Sequence, residues 1–281
     1  MSRLADAFAK LKKEGRAAFV PFITAGDPDM ETSFAILEQL PAAGADVIEL
    51  GLPFTDPMAD GPAVQASSVR ALAAGATTAK VLKMVARFRK ADKTTPIVLM
   101  GYYNPIHAYG TARFARDVAA AGVDGLIVVD LPVEEDEVLR VPAAAQGVDL
   151  VRFITPTTDD ERLKRVLDGA GGYLYYVSVA GVTGTKAVPE DEVRAAMTRV
   201  KAATGLPCTV GFGIRTPEQA AAIAALADGV VVGSAIVGRV AANLEAGRDK
   251  IVAEVLELTR ALAGSTHAAG RDKVSPEKAN A

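Results

Sequence analysis

The chain has little of what most metal and redox sites are built from. Of its 281 residues one is cysteine, Cys208, and two are histidine, His107 and His267. A single thiol excludes an intrachain disulfide and fits a reducing cytosol. Two histidines exclude a zinc site of several imidazoles. They also leave His107 as the one candidate for a His-centred triad, because His267 falls in a small, polar C-terminal stretch. Charge of one sign is lacking too. The 31 Lys and Arg against 34 Asp and Glu give a formal net charge of −3, and no basic cluster offers a surface to nucleic acid or an anionic membrane. No apolar run is long enough to span a bilayer. The residues after Met1, Ser-Arg-Leu-Ala-Asp-Ala-Phe-Ala-Lys, read as an amphipathic helix rather than a signal peptide. The expectation is a cytoplasmic protein.

What is present is a regular alternation, in a chain whose residues are half hydrophobic. Short apolar runs at 19–24, 46–50, 96–100, 125–129, 150–154, 173–177, 208–210 and 229–232 read as strands. Helical patterns follow each of them, and one more precedes the first, at 2–13. Two helix starts carry a capping-box signature, Thr158 with Glu161 and Thr216 with Gln219, the second with Pro217 at its first position. The strands are continuously apolar, as parallel strands covered on both faces are. Eight such units predict a single α/β domain, a (β/α)8 TIM barrel with an N-terminal extra helix and a short helix after strand 8, at 235–240. The barrel is expected over residues 1–264, with 265–281 a polar tail that frays. A doubly wound open sheet is the competitor, but no G-x-G-x-x-G follows the first strand.

In such barrels the chemistry sits where the strands end at their C-termini. Glu49 lies at the end of the second strand among Val47, Ile48 and Leu50. Burial there would raise its pKa and let it hold and release a proton near neutrality, although a structural carboxylate satisfied by nearby donors would look the same. Asp60 follows in a loop rich in proline, where a turn or a helix cap would also explain it. Gly211-Phe212-Gly213 after strand seven and Gly233-Ser234 after strand eight suit a phosphate held by backbone N–H groups and a helix N-terminus. The loop Gly181-Val182-Thr183-Gly184-Thr185-Lys186 fits a mobile lid and a plain solvent loop equally. No predicted strand contains a lysine, so a Schiff-base aldolase lacks a nucleophile.

Ile48-Glu49-Leu50-Gly51-Leu52-Pro53-Phe54-Thr55-Asp56-Pro57-Met58-Ala59-Asp60-Gly61-Pro62 resembles the signature of the tryptophan synthase alpha subunit family. Phe19 to Pro28, Gly181 to Gly184, Gly211 to Ile214 and Gly233 to Val237 match it as well, so the resemblance covers nearly the whole length. It implies a lyase that splits indole-3-glycerol phosphate into indole and glyceraldehyde 3-phosphate. By that resemblance Glu49 is the acid–base residue and Asp60 hydrogen-bonds the indole N–H. Phe22, Met100 and Tyr175 line the indole pocket, and Thr183 holds the lid against Asp60. Gly184, Gly211, Phe212, Gly213, Gly233 and Ser234 bind the phosphate. The family works in an alpha2beta2 heterotetramer for tryptophan biosynthesis, passing indole to a PLP-dependent beta subunit. Pro53, Asp56, Pro57, Asn104 and Pro132 match positions at that contact. The PLP belongs to the partner, and the chain shows no cofactor motif and no metal site of its own. Val179-Ala180 and the C-terminal tail depart from the family pattern, and Met100 stands where leucine is common, a volume-tolerant change.

The rivals are a sugar-phosphate isomerase or epimerase on the same barrel, which leaves 46–61 unexplained, and a non-catalytic subunit that binds ligand only.

Overall fold

The computed structural model describes residues 2–177, 190–211 and 213–269. The apolar runs form nine parallel strands: β1 (Ala18–Thr24), β2 (Ile48–Gly51), β3 (Ile97–Gly101), β4 (Gly125–Val128), β5 (Asp149–Leu150), β6 (Arg152–Ile154), β7 (Leu174–Val177), β8 (Cys208–Gly211) and β9 (Gly229–Val232). They neighbour one another in the order β5-β4-β3-β2-β1-β9-β8-β7-β6. The two ends of that order are halves of one segment. The fifth strand, expected as one piece over 150–154, is broken at Val151. Its first half pairs with β4 and its second with β7, and the Val151 N–H still donates to Leu126 O at 2.9 Å. Changing sides at one residue closes the sheet into the expected (β/α)8 barrel.

Alternation decides which side chains enter the barrel. Ala18, Val20, Val47, Val98, Ile127, Val151, Tyr173, Tyr175 and Val231 form one buried cluster, and their neighbours Phe19, Ile48, Leu50, Leu99 and Val230 belong to the larger cluster under the helices. Glu49 is in register with Phe22 on β1 and Val98 on β3, so it shares their inward face. The extra helix α1 (Arg3–Glu14) closes the barrel at the strands' N-terminal side, adding Leu4, Phe8 and Leu11 to the inner cluster. The Ser2 hydroxyl caps it by accepting from Ala5 N–H, and Gly15 ends it at φ +69°.

The outer helices are α2 (Met30–Leu37), α3 (Pro62–Ala73), α4 (Thr78–Phe88), α5 (Tyr103–Tyr109), α6 (Thr111–Ala121), α7 (Glu137–Ala144), α8 (Asp160–Leu167), α9 (Glu190–Ala203), α10 (Pro217–Ala224), α11 (Ser234–Ala242) and α12 (Arg248–Ala268). Three differ from expectation. The cap of α8 is Asp159, whose carboxylate accepts from Arg162 N–H at 2.7 Å, while Thr158 is buried and takes the Thr155 N–H. A carboxylate one residue on is the stronger acceptor for the helix end. The box at Thr216 and Gln219 forms as read. Helix α5 was not foreseen; its Pro105 falls in the first turn, where a missing N–H breaks no intrahelical bond. Helix α12 runs four residues past the expected boundary at 264, since Thr266 is buried and His267 bonds the Asp46 carboxylate at 2.8 Å. Among the described residues no helix is long and apolar enough to cross a membrane.

Candidate active site

A cavity of about 290 Å³ opens at the C-terminal ends of the strands. Glu49, Asp60, Phe22, Met100 and Tyr175 line it, and so do Gly213, Gly233 and Ser234. The two acids and the glycine turns that the sequence set far apart therefore share one space.

Glu49 is 1 % exposed. Its Oε1 accepts from the Tyr173 hydroxyl at 2.6 Å, and its Oε2 is buried with no hydrogen-bond partner among the described residues. Loss of water pushes its pKa up to about 8, against which the Tyr173 hydrogen bond works weakly. A structural carboxylate would have both oxygens satisfied. Glu49 does not.

Asp60 is raised to about 6, again by burial, with a hydrogen bond from Tyr102 holding it lower than it would otherwise be. The Tyr102 hydroxyl in turn accepts from Ala59 N–H at 3.1 Å, which fixes the loop against the end of β3. Asp60 is not a helix cap. Gly61 occupies that position for α3, with Pro62 next, and no side chain caps it. The Asp60 carboxylate is thus left to face the cavity.

Where β8 and β9 end, Gly213 has φ +78°, a conformation that suits glycine. Gly233 precedes α11 without a capping side chain. The first N–H groups of α11 have no acceptor inside the helix, and its dipole adds partial positive charge there. This end can hold a phosphate dianion. Arg215 also lines the cavity. Gly211, assigned to the phosphate by sequence, does not line it. A Cβ at Gly211 would stand 2.0 Å from the Tyr175 hydroxyl oxygen, so this glycine makes room for Tyr175 instead.

A family model described as the tryptophan synthase alpha chain matches residues 8–267. The chain belongs to this family. The crystal structure of tryptophan synthase subunit alpha from Legionella pneumophila str. Paris is 41% identical, with a TM-score of 0.88, over 95% of this chain and 98% of that one. A chain of tryptophan synthase from M. tuberculosis in its aminoacrylate-bound form is 33% identical, with a TM-score of 0.84, over 95% and 100%. As a tryptophan synthase alpha chain this protein is a carbon–carbon lyase that cleaves indole-3-glycerol phosphate. The sugar-phosphate isomerase reading is set aside.

Thr183, Gly184 and Phe212 lie outside the described residues. The five positions matched to a partner contact lie in the segments after β2, β3 and β4, three neighbouring strands. Asp56, Asn104 and Pro132 are exposed and Pro53 is half-buried, whereas Pro57 is buried within this chain and offers no side chain to a partner. Met58, 79 % exposed beside them, was not singled out from the sequence. Nor were Tyr173, Tyr102 and Arg215. Tyr173 had a readable signal, because it lies two residues before Tyr175 and so on the same face. Tyr102 had none, since its role depends on a loop folding back onto it.

Proposed function

We propose that Glu49 and Asp60 divide the cleavage between them because burial affects them unequally. With a pKa of about 8 Glu49 is largely protonated at pH 7, while Asp60 at about 6 is largely ionised. Glu49 gives its proton to ring carbon C3 of the indole, and the ring becomes an indolenine with positive charge at nitrogen. The Asp60 carboxylate accepts the indole N–H and stabilises that charge in a cavity of low polarity. Glu49, now a carboxylate, takes the proton of the adjacent glycerol hydroxyl. The C–C bond breaks as the aldehyde forms, and its electron pair restores the aromatic ring. Glu49 ends protonated, as it began.

The observation that carries this reading is the buried Glu49 carboxyl, with one oxygen tied to Tyr173 and the other unpartnered among the described residues. Tyr173 and Tyr102 are positioning residues. Phe22, Met100 and Tyr175 hold the indole, while Gly213, Gly233 and Ser234, with Gly184 and Phe212, hold the phosphate. Thr183 closes on Asp60.

The partner is a beta subunit in an alpha2beta2 assembly, in the cytoplasm, docked over Pro53, Asp56, Met58, Asn104 and Pro132. The PLP of the overall synthesis sits in that subunit and supplies no step here. The test is indole release from indole-3-glycerol phosphate by the purified chain, with and without a beta subunit. A weak intrinsic rate that rises in the complex, and its loss in Glu49→Gln with phosphate-ligand binding kept, is the expected result. Lost ligand binding in that variant would make Glu49 structural, and near-normal turnover in Asp60→Asn would remove Asp60 from the mechanism.

A further inference from the structure

Glu49 has few restraints of its own. Among the described residues its carboxyl has one hydrogen bond, from the Tyr173 hydroxyl at 2.6 Å. Where Glu49 points therefore depends on where Tyr173 is held.

Tyr173 stands one residue before β7, after Gly171 and Gly172, and its N–H donates to Gly171 O at 2.9 Å, within that turn. The ladder between β6 and β7 begins only at Leu174. A ring that carries its hydroxyl across the barrel to β2 from such a start needs packing to fix its height. Helix α1 supplies it at two points. Leu4 fills the space beside Gly172, its Cδ1 standing 3.0 Å from where a Cβ on that glycine would be. Phe8, one turn along the same helix face, meets the Tyr173 ring at 5.5 Å between centroids, tilted by 47°. Both rings are buried.

The helix is itself pinned. The Arg3 guanidinium donates to Asp124 at 2.6 Å and to Gly122 O at 3.0 Å, just before β4. The Ser2 hydroxyl donates to Asp149 at 3.1 Å, at the start of β5. These contacts hold α1 to the N-terminal edge of the barrel, so Phe8 bears on Tyr173 from a fixed base. Neither Leu4 nor Phe8 lines the substrate cavity.

We infer that Phe8 is a positioning residue for the cleavage: it holds the Tyr173 ring where the hydroxyl meets Glu49, so that α1 at the closed end of the barrel acts on a carboxyl at the open end. The inference rests on the reading of Glu49 as the acid–base residue. Close packing carries the effect, because interiors have few voids and a ring that loses its support settles. An ångström of displacement at a reacting group can cost about a hundred-fold in rate.

The test is the pH dependence of indole release by the full chain, for Phe8→Ala, Tyr173→Phe and the two combined. Phe8→Ala should lower kcat by about ten-fold or more with KM little changed. It should also move up the alkaline limb of the kcat/KM profile, which reports Glu49, as loss of the Tyr173 hydroxyl does. In the Tyr173→Phe background, which has no hydroxyl to position, adding Phe8→Ala should move that limb no further. Phe8→Leu refills most of the space and should return kcat and the limb toward their native values. Loss of packing alone lowers the folded fraction and leaves the limb in place. Should the alanine variant not fold, Phe8→Val carries the same comparison. An unmoved limb, a rise in KM with kcat kept, or a full further shift in the Tyr173→Phe background overturns the role of Phe8. If the limb moves in Tyr173→Phe and not in the Phe8 variants, the reading of Glu49 stands and this inference alone falls. A limb unmoved in Tyr173→Phe, or turnover kept in Glu49→Gln, overturns that reading and this inference with it.

Discussion

Replacing Glu49 by glutamine isolates what it costs this fold to hide a carboxyl. The folded pKa is about 8, against 4.5 for the group in water. Between those values the unfolded chain has lost the proton and the folded chain still holds it. The folded state then binds more protons, so stability falls as pH rises, by ~1.36 kcal/mol per unit. Across the whole interval this amounts to about 5 kcal/mol, complete just above pH 8, with no further loss beyond. Glutamine has the same shape, carries no charge, and can still accept the Tyr173 hydroxyl. Glu49→Gln should therefore match the native chain in stability near pH 5 and exceed it by up to about 5 kcal/mol at pH 9, on the scale of a whole domain's net stability.

The assay is equilibrium urea unfolding of both proteins at intervals from pH 5 to 9, read as the difference between them. Groups that titrate alike in the two proteins cancel. Tyr173 and Tyr175 are held far above their ordinary pKa by burial and stay protonated throughout. A difference that is flat with pH, or that favours the native chain at alkaline pH, would refute the assignment of a buried, protonated Glu49. Turnover should be lost at every pH.

Activity, read as kcat/KM, should be bell-shaped, with limbs near 6 for Asp60 and near 8 for Glu49. Each tyrosine hydrogen bond favours the ionised form. Tyr102→Phe should therefore move the acid limb up and Tyr173→Phe the alkaline limb up, each by about one pH unit; a limb that stays put removes that tyrosine's role. Gly211→Ala brings a methyl 2.0 Å from the Tyr175 oxygen and should destabilise the fold by about 1–3 kcal/mol while lowering kcat, checked by unfolding and initial rates. Arg215→Ala should raise KM at low ionic strength, and the gap to the native chain should close in 1 M salt, where charges are screened beyond roughly 3 Å; a salt-independent gap would mean that Arg215 acts by packing.

Much of this was legible because parallel barrels write their topology in an even rhythm. Strand positions and Glu49 at a strand end follow from the apolar runs, whereas Phe22, Met100 and Tyr175 were reached through the family resemblance and lie on strands those runs predict. What escaped depended on contacts between segments distant in sequence. Whether Asp60 caps a helix or faces a cavity turns on Gly61 taking the cap, a shift of one residue. The same one-residue ambiguity misassigned Thr158 for Asp159. Gly211 was read as a phosphate turn because glycine was taken to serve the backbone, when the space it leaves serves a ring thirty-six residues earlier in sequence. The last turn of α12 was missed because Ser265, Thr266 and His267 look like tail, and what makes them helix is the burial of Thr266 and the Asp46 carboxylate, distant in sequence but adjacent in the fold.

The cost of burying Glu49 also separates the lyase from a barrel that only binds. A chain that merely held a phosphorylated ligand would gain stability, at neutral pH, from an apolar residue at position 49, since its neighbours Phe22 and Val98 are apolar and the cavity is too. Among the described residues, the one group that relies on the carboxyl is the buried Tyr173 hydroxyl. Its single hydrogen bond is to a tyrosine that the same burial holds protonated, and its other oxygen has no partner among the described residues. Asp60 follows the same logic more mildly, raised to about 6 and spared from the helix cap. Two acids with raised pKa values on either side of neutrality, lining one cavity, fit the proposed division in which one gives a proton and the other stabilises a cation. The stability gain predicted for Glu49→Gln, together with its loss of turnover, is the measurable form of that exchange.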